Sequence, residues 1–187
     1  MPSTTRAITD DELMRLPKDG RKYELVDGEL RVSPGAGVWH EWVVAALLAR
    51  LRGFVIEHGL GYVFGSNLVY ALPSGNRRSP DVSFIATTRL PSGPELKELF
   101  RRTAVFELVP DLMVEVLSPS DRPREVMDKV GEYLGAGVRL AWVIDPAEER
   151  GVVYRSVTGA REIPPDGSLD GEDLLPGFRC PLRDLFE

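Results

Sequence analysis

Polar and apolar residues alternate on both sides of Asp27-Gly28: Tyr23-Glu24-Leu25-Val26 before it and Glu29-Leu30-Arg31-Val32 after it. Alternation about an Asp-Gly pair predicts a β-hairpin near the start of the chain. Just upstream, Thr9-Asp10-Asp11-Glu12 has the form of a capping box, opening a short helix that Pro17 closes. After a Pro34-Gly35-Ala36-Gly37 loop, Trp39, Val43, Leu47, Leu51 and Phe54 recur every three or four residues, which predicts a long amphipathic helix ending near Gly59. Period-two or fully apolar runs then predict strands over 62–64, 67–72 and 81–86, with a turn at Pro73-Ser74-Gly75-Asn76. A short surface helix fits 95–101, and a buried strand fits the apolar run over 111–117. Helical spacing of Val126, Val130, Tyr133 and Leu134 marks a helix over 124–134 that Gly135-Ala136-Gly137 stops. Strands over 140–144 and 152–154 follow, and Leu174, Leu175, Phe178, Leu185 and Phe186 are anchors for a tail that packs back on the body.

Helix, strands, helix and strand in that order define an α/β (α+β) chain: a central mixed β-sheet flanked by helices, with an N-terminal hairpin. No internal repeat, low-complexity stretch or linker interrupts it, so one domain over 1–187 is expected. Its 187 residues and 43% hydrophobic content suit a full core. No run approaches the roughly 18 apolar residues of a membrane span, and the N-terminus lacks the basic-then-apolar order of a signal peptide. A cytoplasmic location away from membranes is the expectation. One cysteine, Cys180, precludes an internal disulfide, and with only His40 and His58 beside it a zinc site is disfavoured. Oxygen ligands remain, favouring Mg²⁺, Mn²⁺ or Ca²⁺.

Two acids stand where acids are expensive. Glu115 interrupts Asp111-Leu112-Met113-Val114-Glu115-Val116-Leu117, and a buried, unpaired carboxylate costs several kcal/mol unless it takes up a proton or finds a cation. Asp81 heads the apolar strand of Ser79-Pro80-Asp81-Val82-Ser83-Phe84-Ile85. Carboxylates converging from neighbouring strands would make a divalent-metal site. A net charge of −6 argues against nonspecific coating of nucleic acid, yet a nuclease needs only a local basic rim. Arg77 and Arg78 before Asp81, and Arg122 and Arg124 after Glu115, are candidates for binding phosphate there; the plainer reading is solvated loop arginines. Lysine is scarce. Lys129 is one of only four in a chain that otherwise uses arginine, so a compact ammonium has a reason to be there.

Taken in order, Ser79-Pro80-Asp81, Glu115 within its apolar strand, and Asp128-Lys129 on the next helix resemble the PD-(D/E)xK nuclease superfamily. The chain more narrowly resembles the Uma group of restriction-endonuclease-like bacterial proteins. Tyr23-Glu24-Leu25 with Asp27-Gly28-Glu29-Leu30, His40, Glu115-Val116-Leu117-Ser118-Pro119-Ser120, Lys129 with Tyr133, Trp142-Val143-Ile144-Asp145-Pro146 and Leu175-Pro176-Gly177 carry that likeness. Nearly the whole chain is covered. Leu117 stands where the parent pattern has its lysine, and the resemblance implies that Lys129 supplies it from the following helix. Glu125 stands where the group usually has aspartate.

The resemblance implies a restriction-endonuclease-like core and a Mg²⁺- or Mn²⁺-dependent endonuclease acting on DNA. Asp81, Glu115 and Lys129 would be catalytic, and the metal would be held by Asp81, Glu115 and the main-chain carbonyl of Val116. Glu24, His40 and Glu125 would support them, and a homodimer would cut both strands. Each residue has a structural alternative. Asp81 could be a turn residue, Glu115 could pair with a core arginine, Lys129 could be a solvated helix residue, His40 could cap or pack its helix, and Glu24 could sit exposed in the hairpin. The alternative for the whole is an inactive nucleic-acid-binding module on the same fold. A two-carboxylate glycosidase is disfavoured, because that chemistry has no use for the lysine. Without metal the two acids should repel, so removing one is expected to leave stability unchanged or raised.

Overall fold

The computed structural model describes residues 8–187. The expectations about an N-terminal leader, and the first residues of the 1–187 domain, fall on residues 1–7 and lie outside the described residues. Helix α1 (Asp10–Met14) opens with its capping box formed, the Thr9 side chain accepting from the Glu12 amide and Glu12 returning to Thr9. Strands β1 (Lys22–Val26) and β2 (Glu29–Ser33) make the hairpin. At its tip Asp27 and Gly28 take φ of 52° and 78°, the paired positive values a type I′ turn requires.

Helix α2 (Val38–Glu57) buries His40, Val43, Val44, Leu47, Leu51 and Val55. Trp39, taken from its spacing as the first core position, is instead 46% exposed. It lies off the buried stripe, where its indole N–H donates to the Pro146 carbonyl at 3.4 Å and its ring meets Phe186.

Strands β3 (Gly61–Gly65), β4 (Val69–Ala71), β5 (Arg77–Arg78) and β6 (Val82–Ala86) come next, followed by a 3₁₀ turn at Thr87–Arg89. Helix α3 (Gly93–Arg102), β7 (Val105–Phe106), β8 (Leu112–Val116), α4 (Pro123–Gly135), β9 (Leu140–Asp145) and β10 (Arg150–Ser156) follow. The chain closes with β11 (Gly159–Ile163), β12 (Ser168–Gly171), β13 (Leu175–Pro181) and α5 (Arg183–Phe186). Strands β5, β7, β11, β12 and β13 were not evident in the pattern, because two-residue strands and strands with polar interruptions carry no period; the strands they pair with define them.

A six-stranded sheet runs β11-β10-β9-β8-β6-β3, and a five-stranded one β2-β1-β5-β4-β7. In the first, β8 and β9 are parallel and the other neighbours antiparallel. Parallel neighbours need a crossover, and α4 supplies it. The hairpin therefore does not stand apart: Leu25 pairs with Arg77, which joins it to the second sheet.

The faces of β6 and β8 divide by parity. Val82, Phe84, Leu112, Val114 and Val116 pack in one cluster with Val43, Leu47, Leu51 and Trp142, so α2 covers that face. Ile85 and Met113 turn the other way, to Tyr70, Phe106 and Tyr133. Asp81 and Glu115 share the parity of Ile85 and Met113. Both carboxylates therefore project to the side covered by α4 and the five-stranded sheet. Among the described residues, no helix is long and apolar enough to cross a membrane.

Candidate active site

Asp81 stands one residue before β6, and its amide donates to the Val114 carbonyl at 3.0 Å, so it is locked to β8. Its Oδ2 accepts the Val116 amide at 2.8 Å and lies 3.3 Å from Nε2 of His40, which the first turn of α2 presents. Its Oδ1 accepts from the Lys22 ammonium at 2.9 Å. Glu115 leaves β8 on the same face. Its Oε1 accepts the Tyr133 hydroxyl at 2.5 Å, and its Oε2 lies 3.2 Å from Lys129 Nζ and 4.0 Å from Lys22 Nζ. One ammonium thus touches both acids. Asp81 and Glu115 are 4% and 6% exposed, so neither carboxylate relies on bulk water for its charge.

Helix α4 delivers three side chains from one face. Lys129, Glu132 and Tyr133 follow the i, i+3, i+4 rule, meeting Glu115, Arg78 and Glu115 respectively. Glu24, from β1, accepts the Ser79 amide at 2.9 Å and lies 3.5 Å from Lys129 and 3.3 Å from Arg78. Arg78 bridges on to Glu132 at 2.7 Å. Glu132 also accepts from Asn76 and Ser74, and Asn76 in turn accepts the Asp27 amide. The hairpin, β5 and α4 are thereby tied behind the acids.

Burial alone would raise the Glu24 carboxyl, but Lys129, Lys22 and Arg78 outweigh it and hold the group below its ordinary value. Asp81 follows the same logic: burial raises it, and Lys22, His40 and the Val116 amide bring it far below the carboxylate range. Burial would strip protons from Lys22 and Lys129, yet the facing carboxylates hold both above their ordinary values. Tyr133 is pushed well up, first by burial and then by the charges of Glu115 and Glu24. All of these keep the site ionic near neutral pH, with Tyr133 as a neutral donor. Lys22 and Lys129 offset the two acids, so the repulsion expected of bare carboxylates is not what the site presents.

An open cavity of about 820 Å³ lies over this cluster, bordered by Lys22, His40, Asp81, Glu115, Val116 and Lys129. The residues anticipated from sequence divide at that cavity. Glu24 is buried behind it and not exposed in the hairpin, and the acid that pairs with a core arginine is Glu24 instead of Glu115. Arg77 forks onto Asp10 and the Gly75 carbonyl, and Arg78 is enclosed between Glu24 and Glu132. Neither guanidinium borders the cavity. Arg122, Arg124 and Glu125 are exposed where α4 begins, with Arg122 and Glu125 3.8 Å apart. Lys22 was missed. The scarcity of lysine that singled out Lys129 applied to it equally, and it shares a strand face with Glu24 two residues on.

The donor chemistry suits a small hard cation. The oxygens Oδ1 of Asp81 and Oε2 of Glu115 both face the position of an ammonium, while their partner oxygens are anchored to Val116 and Tyr133. The amide and carbonyl of one strand residue point to the same edge, so the Val116 carbonyl opens on the side of Asp81. Among the described residues, no three or more His, Cys, Asp and Glu side chains form a group that could hold a metal. Two carboxylates, a carbonyl, water and substrate oxygens are nonetheless the usual shell of Mg²⁺. The residues fit that ion, with Lys22 as the resident positive charge.

A mixed sheet whose parallel pair β8/β9 is joined by the α4 crossover has the architecture of a restriction-endonuclease-like fold. The fold is shared with a solved structure from Anabaena variabilis, described as a putative nuclease belonging to DUF820. The two are 23% identical, with 96% of this chain and 97% of that one aligned at a TM-score of 0.80. The Uma2 family, described as a putative restriction endonuclease, matches residues 10–183, and this chain belongs to it. No curated protein matches the chain.

Proposed function

We propose that this protein is a metal-dependent endonuclease that hydrolyses phosphodiester bonds of DNA. The observation that carries the reading is the meeting of Lys129 Nζ with Glu115 Oε2 at 3.2 Å, beside a cavity that also exposes Asp81. Asp81, Glu115 and the Val116 carbonyl would hold Mg²⁺ or Mn²⁺. Such an ion lowers the pKa of a bound water and offsets charge on phosphate oxygens.

The chain's own residues account for the rest. Glu115 and Glu24 face Lys129 and raise its pKa above the ordinary value, so it acts as a donor and a positive charge. It orients the attacking water and stabilises the charge that grows on the phosphate. Glu24 holds Lys129 in place, Tyr133 fixes the rotamer of Glu115, and His40 with the Val116 amide fixes Asp81. Arg122 and Arg124 lie exposed at the start of α4 and would meet the DNA backbone. Cutting both strands of a duplex takes two sites, which a homodimer in the cytoplasm would provide.

The test is cleavage of single-stranded, duplex and supercoiled DNA in Mg²⁺ or Mn²⁺. Wild type should cut, and Lys129→Ala should lose cleavage while retaining Mn²⁺ binding. Lys129→Arg should rescue poorly, since a planar guanidinium holds its charge farther out. No cleavage of any of the three by wild type would leave the inactive binding module as the better reading, and full activity in Lys129→Ala would return Lys129 to a structural role.

A further inference from the structure

Lys22 has no part in the mechanism above, yet it occupies the centre of the site. Its ammonium donates to Asp81 Oδ1 at 2.9 Å and lies 4.0 Å from Glu115 Oε2, the two oxygens not anchored to Val116 or Tyr133, of which Oε2 also accepts from Lys129 at 3.2 Å. Its side chain is 23% exposed while those of the two acids are 5% and 8% exposed. The lysine thus reaches in from the cavity side, and its stem lies on the cavity wall. An ammonium and a divalent ion cannot share one pair of carboxylate oxygens: the cations repel, and each oxygen has a limited number of lone pairs. Lys129 is different: it also donates to Glu115 Oε2, but Glu24 at 3.5 Å gives it a second carboxylate that it can keep when an ion takes that oxygen.

We propose that Lys22 is a built-in competitor for the metal: it fills the cation position between Asp81 and Glu115 when no metal is bound, and swings into the cavity when one binds. This rests on the metal reading above and deepens it. The two arrangements have different consequences. With Lys22 seated, the acids are neutralised and the site has no ion with which to act. With Lys22 displaced, the Nζ that held Asp81 faces the same cavity as the substrate and becomes free to contact a phosphate oxygen. A polyanion that engages the released ammonium would stabilise the displaced arrangement, so metal and DNA should bind with positive coupling.

Mn²⁺ titration by calorimetry, without DNA, tests this on wild type, Lys22→Met, Lys22→Arg and Lys18→Ala. Lys18 borders the same cavity and controls for a general change of charge. Removing the competitor should tighten Mn²⁺ binding by about tenfold or more in Lys22→Met, while Lys22→Arg stays at or below wild-type affinity and Lys18→Ala stays close to it. A second measurement uses the wild-type protein alone: saturating Mg²⁺ should increase acetylation of Lys22, read by mass spectrometry, with Lys18 and Lys97 unchanged. Equal Mn²⁺ affinity in wild type and Lys22→Met, or Lys22 labelling indifferent to Mg²⁺, overturns the competitor role and leaves the metal reading intact. Absence of Mn²⁺ binding from both wild type and Lys22→Met overturns the two together.

Discussion

Arg78 offers the sharpest test of what holds the site together. Its side chain is 8% exposed, with Nε 2.7 Å from Glu132 and Nη1 3.3 Å from Glu24. Arg78→Met keeps most of the stem and deletes the charge, leaving two carboxylates short of a cation. Breaking a buried ion pair on one side costs roughly 3–5 kcal/mol. The remaining partners reduce that. Glu24 keeps the Ser79 amide and Lys129, and Glu132 keeps the Ser74 hydroxyl and the Asn76 amide at 2.6 Å each. The lower end, about 3 kcal/mol, is therefore expected. At about 2–4 °C per kcal/mol for a chain of this size, the melting temperature should drop by roughly 6–12 °C. Urea unfolding of wild type and Arg78→Met measures the difference, with the slope m preserved if only stability changes. Adding Glu132→Gln to Arg78→Met should recover part of the loss, because the stranded charge is then gone. A loss under about 1 kcal/mol, typical of an exposed pair, would refute the account of Arg78 as the tie between hairpin and α4.

Asp81→Ala and Glu115→Ala should each abolish Mn²⁺ binding by calorimetry; undiminished affinity in both would move the metal elsewhere. Glu115→Ala should also lose about 1–3 kcal/mol, since the Tyr133 hydroxyl and the Lys129 ammonium lose their acceptor, and a variant as stable as wild type would restore the picture of repelling acids. Glu24 is held below its ordinary value of 4.5, so the stability it confers is complete above that pH and is lost as pH falls through the folded value. Glu24→Gln should accordingly flatten the acid limb from about pH 5 downward; urea midpoints that follow the wild-type pH curve would count against the charge network. Gly61→Ala would set a Cβ 2.1 Å from the Ile85 carbonyl and 2.7 Å from the Phe84 ring, and thermal melts should show destabilisation by about 1–3 kcal/mol, with an unshifted melt contradicting the tight β3–β6 approach.

Local order in this molecule was legible because its causes act over a few residues. The Asp27-Gly28 turn, the capping box at Thr9, the length of α2 and the apolar runs of β8 and β9 each follow from turn chemistry or periodicity within one segment. The suspicion attached to Asp81 and Glu115 was equally local, since an acid inside an apolar run is costly whatever surrounds it. Which cation answers each acid was not local at all. Lys22 and Asp81 are 59 residues apart, and Arg78 and Glu132 are 54 apart. Nothing in the neighbourhood of Arg78 distinguishes an arginine enclosed between carboxylates from one waiting for phosphate, and nothing near Trp39 tells that its ring falls beside the core stripe. That two buried carboxylates would stand at or beside neighbouring strands was written in the apolar runs around Asp81 and Glu115. That a lysine from the hairpin lies between them came only with the packing of the two sheets, because an ion pair is set by which strand ends meet.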